Sequence, residues 1–256
     1  MDYITTHMRV VAALVIREMA TRFGNKPGGY IWALLDPVAH VAFMTLIFAA
    51  FARSPSLGSS FPLFFASGYM AFQFYQAMAG YLNGAVGGNR ALLNYPNVAP
   101  IDTVVARYIL QFHTTAAVAM CIIGGIALIE GFSLSLRWPY LIEAAFAATL
   151  LAVGVALFNN VMFKSFPLYE KFFDIATRPM FLISGVFYLP EGIPHPFRDI
   201  LLLNPLTHLI MLFRKGIYPE YRADYMDMNY LYAVAFSLLF IGMTVFTLSR
   251  DVLRGR

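Results

Sequence analysis

The sequence predicts an all-α integral membrane protein. It has six transmembrane helices, an N-terminal amphipathic helix at the membrane interface, and a re-entrant helical hairpin between spans five and six. Three observations carry this. Of 256 residues, 59% are hydrophobic and 12% charged, against about 25% charged in an ordinary soluble domain. Several apolar stretches approach or exceed the roughly 20 residues that cross a bilayer. One further apolar stretch is interrupted by prolines at a spacing that no crossing helix tolerates.

The elements follow in order. Val11, Val15, Met19 and Phe23 recur every fourth residue, and Arg17, Glu18, Thr21 and Arg22 share another face. Residues 1–29 therefore read as an interfacial helix lying along a leaflet, with Asn25–Gly29 (NKPGG) as the turn into the membrane. The start lacks the basic, apolar and small-residue pattern of a signal peptide, so the N-terminus is expected to be retained.

The six spans are Tyr30–Ala52, Phe61–Asn83, Val104–Ile129, Trp138–Phe163, the short Ile175–Leu189, and Tyr230–Leu248. An even number places both termini on one side. With the termini inside, twelve of the 18 Lys and Arg residues are cytoplasmic, among them Arg9, Lys26, Arg90 and Arg256. Six are outside: Arg53, Arg137, Arg198, Arg214, Lys215 and Arg222. That bias orients the termini to the cytoplasm.

Asp36 and Pro37 sit in the first span. Asp then Pro is a helix-start signal, so Asp36 reads either as the cap of a restarted helix or as a polar hinge, with His40 one turn above. In the second span Tyr69, Gln73, Gln76, Gly80 and Asn83 share a face, which suits helix–helix contact or the lining of a conduit. Arg178 precedes Pro179 and reads as a phosphate contact or a snorkelling side chain. Ile200–Leu203 and Leu206–Phe213 are apolar but too short to cross. They predict a hairpin dipping into the outer leaflet and returning at Arg214 and Lys215.

Several chemistries are missing. There is no G-x-x-x-x-G-K-[ST] phosphate loop and no H-E-x-x-H. The single cysteine, Cys121, excludes an internal disulfide and a cysteine-based metal site. No cofactor or metal is expected on this chain. A lipid-modifying enzyme would need a carboxylate cluster, for which Asp102, Glu170 and Asp174 are the candidates. Proton coupling would need deeper charges than Glu143.

Three ordered blocks resemble the type-2 ABC exporter permeases: REMATRFGNKPGGYIWALLDPVAH (Arg17–His40), LLNYPNVAPIDTVVAR (Leu92–Arg107), and SGVFYLPEGIP with LLLNPLTHLI (Ser184–Ile210). Within that group they are most similar to the capsular polysaccharide export permeases. Lys26-Pro27-Gly28 departs from the pattern, since relatives usually reach the Gly-Tyr-x-Trp element, which includes Trp32, without a proline.

The resemblance implies a homodimer with two separate ATPase subunits that carry ATP and Mg. It implies a lipid-linked acidic polysaccharide as cargo, no nucleic acid, and a periplasmic adaptor and outer-membrane pore beyond the inner membrane. O-antigen, teichoic acid or a lipophilic compound is the alternative cargo. The loop Gly84–Asp102 would couple to the ATPase through Asn89, Arg90, Leu93 and Tyr95. Residues 190–216 would form periplasmic gate helices. The conduit would run between the first span of one copy and the fifth of the other, with Trp32, Asp36, His40 and Arg178 near its inner mouth. Arg17 and Arg22 would attract the lipid phosphate, and Arg198, Arg214 and Lys215 the emerging acidic chain. Arg254 is expected to tolerate alanine.

Overall fold

The protein is described by a computed structural model covering residues 3–24, 28–51 and 54–254, with only the backbone of Tyr3 and Ile4. The turn at Asn25–Pro27, the end of the first span at Ala52, and the charges of Lys26, Arg53 and Arg256 lie outside the described residues. The chain runs α1 (Tyr3–Phe23), α2 (Tyr30–Phe51), α3 (Phe61–Asn83), α4 (Ala85–Gly88), a 3-10 turn (Arg90–Asn94), α5 (Pro100–Glu130) and α6 (Trp138–Ser165). It continues with α7 (Pro167–Thr177), α8 (Met180–Ile183), a 3-10 turn (Pro190–Gly192), α9 (Phe197–Leu202), α10 (Pro205–Ile217), α11 (Met228–Leu248) and α12 (Arg250–Arg254).

Local chemistry sets these boundaries. Pro100, Pro167 and Pro205 open α5, α7 and α10, where a missing N–H costs nothing. Ser60 Oγ accepts from Leu63 N at 3.1 Å and caps α3. Gly131, at φ 71°, ends α5 in the left-handed conformation.

The helices α2, α5, α6 and α11 are long and apolar enough to cross a membrane. The 23-residue α3 is equally long, and its Gln, Tyr, Ser and Asn residues dilute its hydropathy. It is enclosed by the others, and Leu63–Phe72 is buried without a break. Around it pack α2, α5, α6 and α10, and α11 lies against α6. The α6–α11 contact is built on small residues. A Cβ on Gly242 would stand 2.2 Å from the Gly154 carbonyl oxygen, so the two backbones meet directly.

Four sequence expectations change here. First, α2 runs unbroken through Pro37, so Asp36 does not cap a restarted helix. The helix is held by packing, since Pro37 is buried. Second, the fifth span is not a continuous helix. It breaks at Arg178-Pro179, resumes for the four residues of α8, and leaves helical geometry at Ser184. Pro179 cannot donate to the ladder, and Gly185 turns at φ 82°. Third, the seam that α1 buries is Leu14 with Glu18, while Arg17 and Thr21 of the polar face and Met19 of the apolar stripe are exposed. Fourth, Arg214 does not return the chain to the surface. It is fully buried, with most of α10 around it, against α3 and α6.

Candidate functional site

Glu18 on α1 is 6% exposed. Its Oε2 accepts from the Tyr81 hydroxyl at 2.8 Å. Its Oε1 accepts from Asn89 Nδ2 at 2.7 Å and from Arg107 Nε at 3.1 Å. The donors come from α3, from the residue between α4 and its following 3-10 turn, and from α5. Arg107 also donates to the Tyr81 carbonyl at 3.0 Å, and its guanidinium lies 4.7 Å from the Tyr81 ring. Arg22 covers that ring at 4.2 Å. Arg17 donates to Asn89 Oδ1. Burial alone would raise the Glu18 pKa. The hydrogen bonds from Asn89 and Tyr81 and the charge of Arg107 outweigh it and hold the carboxyl below its ordinary value. One charged, satisfied node therefore joins the N-terminal helix to the segment after α3.

Fit at this node depends on glycine. A Cβ on Gly88 would stand 2.6 Å from an Arg107 guanidinium nitrogen. The segment is anchored again from α6. Asn160 Oδ1 accepts from Val86 N at 3.0 Å, and its Nδ2 donates to the Leu82 carbonyl at 2.8 Å. Of the four expected coupling residues, Asn89 and Leu93 are buried and face the bundle. They position the segment and do not offer a docking surface. Arg90 and Tyr95 are exposed.

Beneath Arg22 lies a pocket of about 160 Å³, lined by Trp32 and Asp36 of α2, Gln73 of α3, and Gln111 and Thr115 of α5. Arg22 donates to Gln111 Oε1 at 2.6 Å, and Gln111 donates to Thr115 Oγ1 at 2.8 Å. Asp36 is exposed at this pocket, with no hydrogen-bond or ion-pair partner among the described residues. The structure thus gathers Arg22, Trp32, Asp36 and Gln73, which the sequence reading scattered over three elements.

His40 faces a different neighbourhood. Its ring stacks on Tyr69 at 4.4 Å and meets Phe181 of α8 edge-on at 5.2 Å. Tyr69 takes a hydrogen bond from Gln73 at 2.7 Å, and Gln76 is half-buried further along α3. Arg178 is exposed at the α7–α8 break and has no hydrogen-bond or ion-pair partner among the described residues.

At α9 and α10, Arg214 donates to the carbonyls of Gly185 (2.8 Å), Val186 (2.7 Å) and Tyr188 (3.1 Å), and lies 4.4 Å from the Phe64 ring. It fastens the irregular stretch after α8 to α3. Gly68 permits this, because a Cβ there would stand 2.7 Å from the guanidinium. Arg198 donates to the Tyr225 hydroxyl at 2.8 Å, and Lys215 lies 5.1 Å from the Tyr140 ring. His208 accepts from Asp227 N at Nδ1 (3.0 Å), so its Nε2 carries the hydrogen donated to the Leu202 carbonyl at 2.8 Å.

Asp102, Glu170 and Asp174 form no cluster. Asp102 lies 3.0 Å from His7 Nδ1 and accepts from Ala99 N at 2.8 Å, while Glu170 and Asp174 lie exposed on α7. Among the described residues no group of three His, Cys, Asp or Glu could hold a metal ion. Sequence reasoning missed Tyr81, Arg107, Gln111 and Asn160 as partners. Arg107 and Gln111 lie one turn apart on α5, and two polar residues at that spacing in an apolar run were the available signal.

Residues 9–218 match the model of the ABC-2 type transporter family. The chain is 33% identical over 243 residues to the polysialic acid transport protein KpsM of Escherichia coli, covering 92% of each chain. It is 24% identical over 237 residues to the capsule polysaccharide export inner-membrane protein CtrC of Neisseria meningitidis serogroup A, covering 93% of this chain and 89% of that one. It is 23% identical over 238 residues to the capsule polysaccharide export inner-membrane protein BexB of Haemophilus influenzae, with the same coverage. The chain belongs to the ABC-2 type transporter family.

Proposed function

From this family membership, we propose that the chain is the transmembrane subunit of an ATP-driven exporter that moves lipid-linked acidic capsular polysaccharide across the bacterial inner membrane. The observation that carries the cargo is its likeness to KpsM over 92% of both chains. In this reading two copies form a homodimer and two separate ATPase subunits bind ATP and Mg. A periplasmic adaptor and an outer-membrane pore complete the path. The chain crosses six times with both termini in the cytoplasm, the stretch Ile175–Leu189, from the end of α7 through α8, making a broken fifth crossing. The α9–α10 pair re-enters from the periplasmic side.

The geometry suggests how force would travel. An ATPase contacting exposed Arg90 and Tyr95 pushes on a segment whose inner side holds Asn89. Asn89 is bonded to Glu18 and Arg17, so the push reaches α1. Arg22, on the same helix, borders the pocket with Asp36 and Gln73. Arg22 then serves first as a link to Gln111, and a lipid phosphate would compete with Gln111 for it. Arg214 acts as a staple for the gate, while Arg198 and Lys215 remain the candidates for attracting the acidic chain.

The test is deletion of this gene in its native host, with a complemented control, and acidic polysaccharide measured at the surface and inside. Loss from the surface with lipid-linked glycan accumulating inside is the expected result. Unchanged surface polysaccharide in a host with no second copy of the system overturns the cargo assignment.

A further inference from the structure

A groove of about 1080 Å³ runs between α1, α5 and α11 and ends at α12. Its walls are apolar: Val11 from α1, Ile109 from α5, and Met243 and Phe246 from α11. Met243 is 53% exposed. It stands open on a helix long and apolar enough to cross the membrane, a position suited to contact with acyl chains. The volume is that of a site for a drug-sized or larger ligand, roughly 300–1,000 Å³ being usual.

The end of the groove beside α12 is different in charge. Arg250 and Arg254 line it. Arg250 is exposed, with no hydrogen-bond or ion-pair partner among the described residues. Arg254 spends one nitrogen on the Val98 carbonyl at 3.3 Å and keeps the rest of its fork. The carboxylate in the lining, Asp102, is occupied by His7 and by the Ala99 amide. Asp251 is exposed but does not line the groove.

We propose that this groove is a binding site for a resident anionic phospholipid, its acyl chains along α5 and α11 beneath α1 and its phosphate against Arg250 and Arg254. An apolar trough ended by two arginines matches that amphiphile and no soluble ligand, and basic pockets between membrane helices select anionic headgroups. The groove is separate from the pocket that holds Asp36, whose lining comes from α1, α2, α3 and α5. The inference rests on the chain spanning a membrane and not on its cargo, so failure of the export assignment leaves it standing. It also revises the expectation for Arg254, which is not a neutral control position.

The full-length chain, purified with its assembly partners into nanodiscs of equal dioleoyl phosphatidylglycerol and dioleoyl phosphatidylcholine, is released for native mass spectrometry and its retained lipid identified. Preference for phosphatidylglycerol of about tenfold is expected, since each basic residue near an anionic headgroup contributes roughly fivefold at most and two together roughly thirtyfold. Arg250→Gln with Arg254→Gln brings the two lipids to parity. Ala12→Trp, which fills the trough without touching the charges, lowers retention of both, and Arg137→Gln changes neither. Equal retention of the two lipids by the natural chain overturns the proposal. So does undiminished preference in the double variant, or a retained mass that belongs to a glycan anchor and not to phosphatidylglycerol.

Discussion

Glu18 accepts hydrogen bonds from three elements at once, and that geometry makes its charge useful where it sits. Breaking one partner of such a buried, charged set costs more than one ordinary hydrogen bond, at about 1.5–3 kcal/mol. Glu18→Gln keeps the shape and removes the charge, so faster exchange of the α1 amides, by roughly tenfold or more, is expected in hydrogen-exchange mass spectrometry. The pH dependence has a definite sign. The folded pKa lies below the ordinary carboxylate value of 4.5. The stabilisation is therefore complete above that value and is lost as pH falls through the folded one. After correction for intrinsic exchange, the natural chain should loosen α1 only under such acid conditions, and the Gln variant should show no acid-induced step. Equal α1 protection in both chains at neutral pH would remove Glu18 as the link. The sequence placed Glu18 on the correct helix but on the solvent face. Helical periodicity reports which residues share a face, and a face that carries charge looks solvated until its partners, here 63 to 89 positions away in sequence, are known.

Elements were most legible where one helix is one apolar run. Phe61–Asn83 was predicted residue for residue as α3, and the starts of α2 and α6 were also placed, because each begins at a proline, a cap or the edge of the apolar stretch. The broken stretch from α7 to α10 was less legible. Its prolines signalled interruption, yet the position of α10 depends on Arg214, whose three carbonyl acceptors lie 26 to 29 residues away. A planar fork reaches several carbonyls that an ammonium on a flexible stem does not hold together. Arg214→Lys is expected to keep the charge and still free the 184–189 stretch. A loss of about 2–4 kcal/mol, for one or two charged hydrogen bonds, should appear as a clear fall in apparent Tm in detergent. Lys215→Gln, beside it, should leave Tm unchanged. If Arg214→Lys melts with the natural chain, the staple is not holding this region.

At the scale of the molecule, composition was enough for a membrane protein, because 12% charged residues cannot cover a soluble surface, and apolar stretches of about 20 residues made it helical. The proposed homodimer would cover apolar surface that stays uncovered in the single chain. Phe43 and Leu46 on α2, and Ile175 and Leu182 on α7 and α8, are all more than half exposed. Lipid could cover them, as it could cover Phe240 on α11, which is 73% exposed. The breaks at Arg178-Pro179 and Ser184 argue for protein over lipid on the α7–α8 side, since irregular backbone at membrane depth must be buried or line water. In the proposed homodimer a two-fold interface would bring α2 of one copy to α8 of its partner, each pairing occurring twice. Cys121→Ser gives a background without cysteine. In that background, copies carrying Phe43→Cys and copies carrying Leu182→Cys, differently tagged and co-expressed, should form a mixed disulfide on mild oxidation, visible on a non-reducing gel. Copies carrying Phe240→Cys with either partner should form no mixed disulfide on the same gel. Cross-linking through α11 with none between α2 and α8 would put the interface, and any conduit along it, on the opposite side of the bundle.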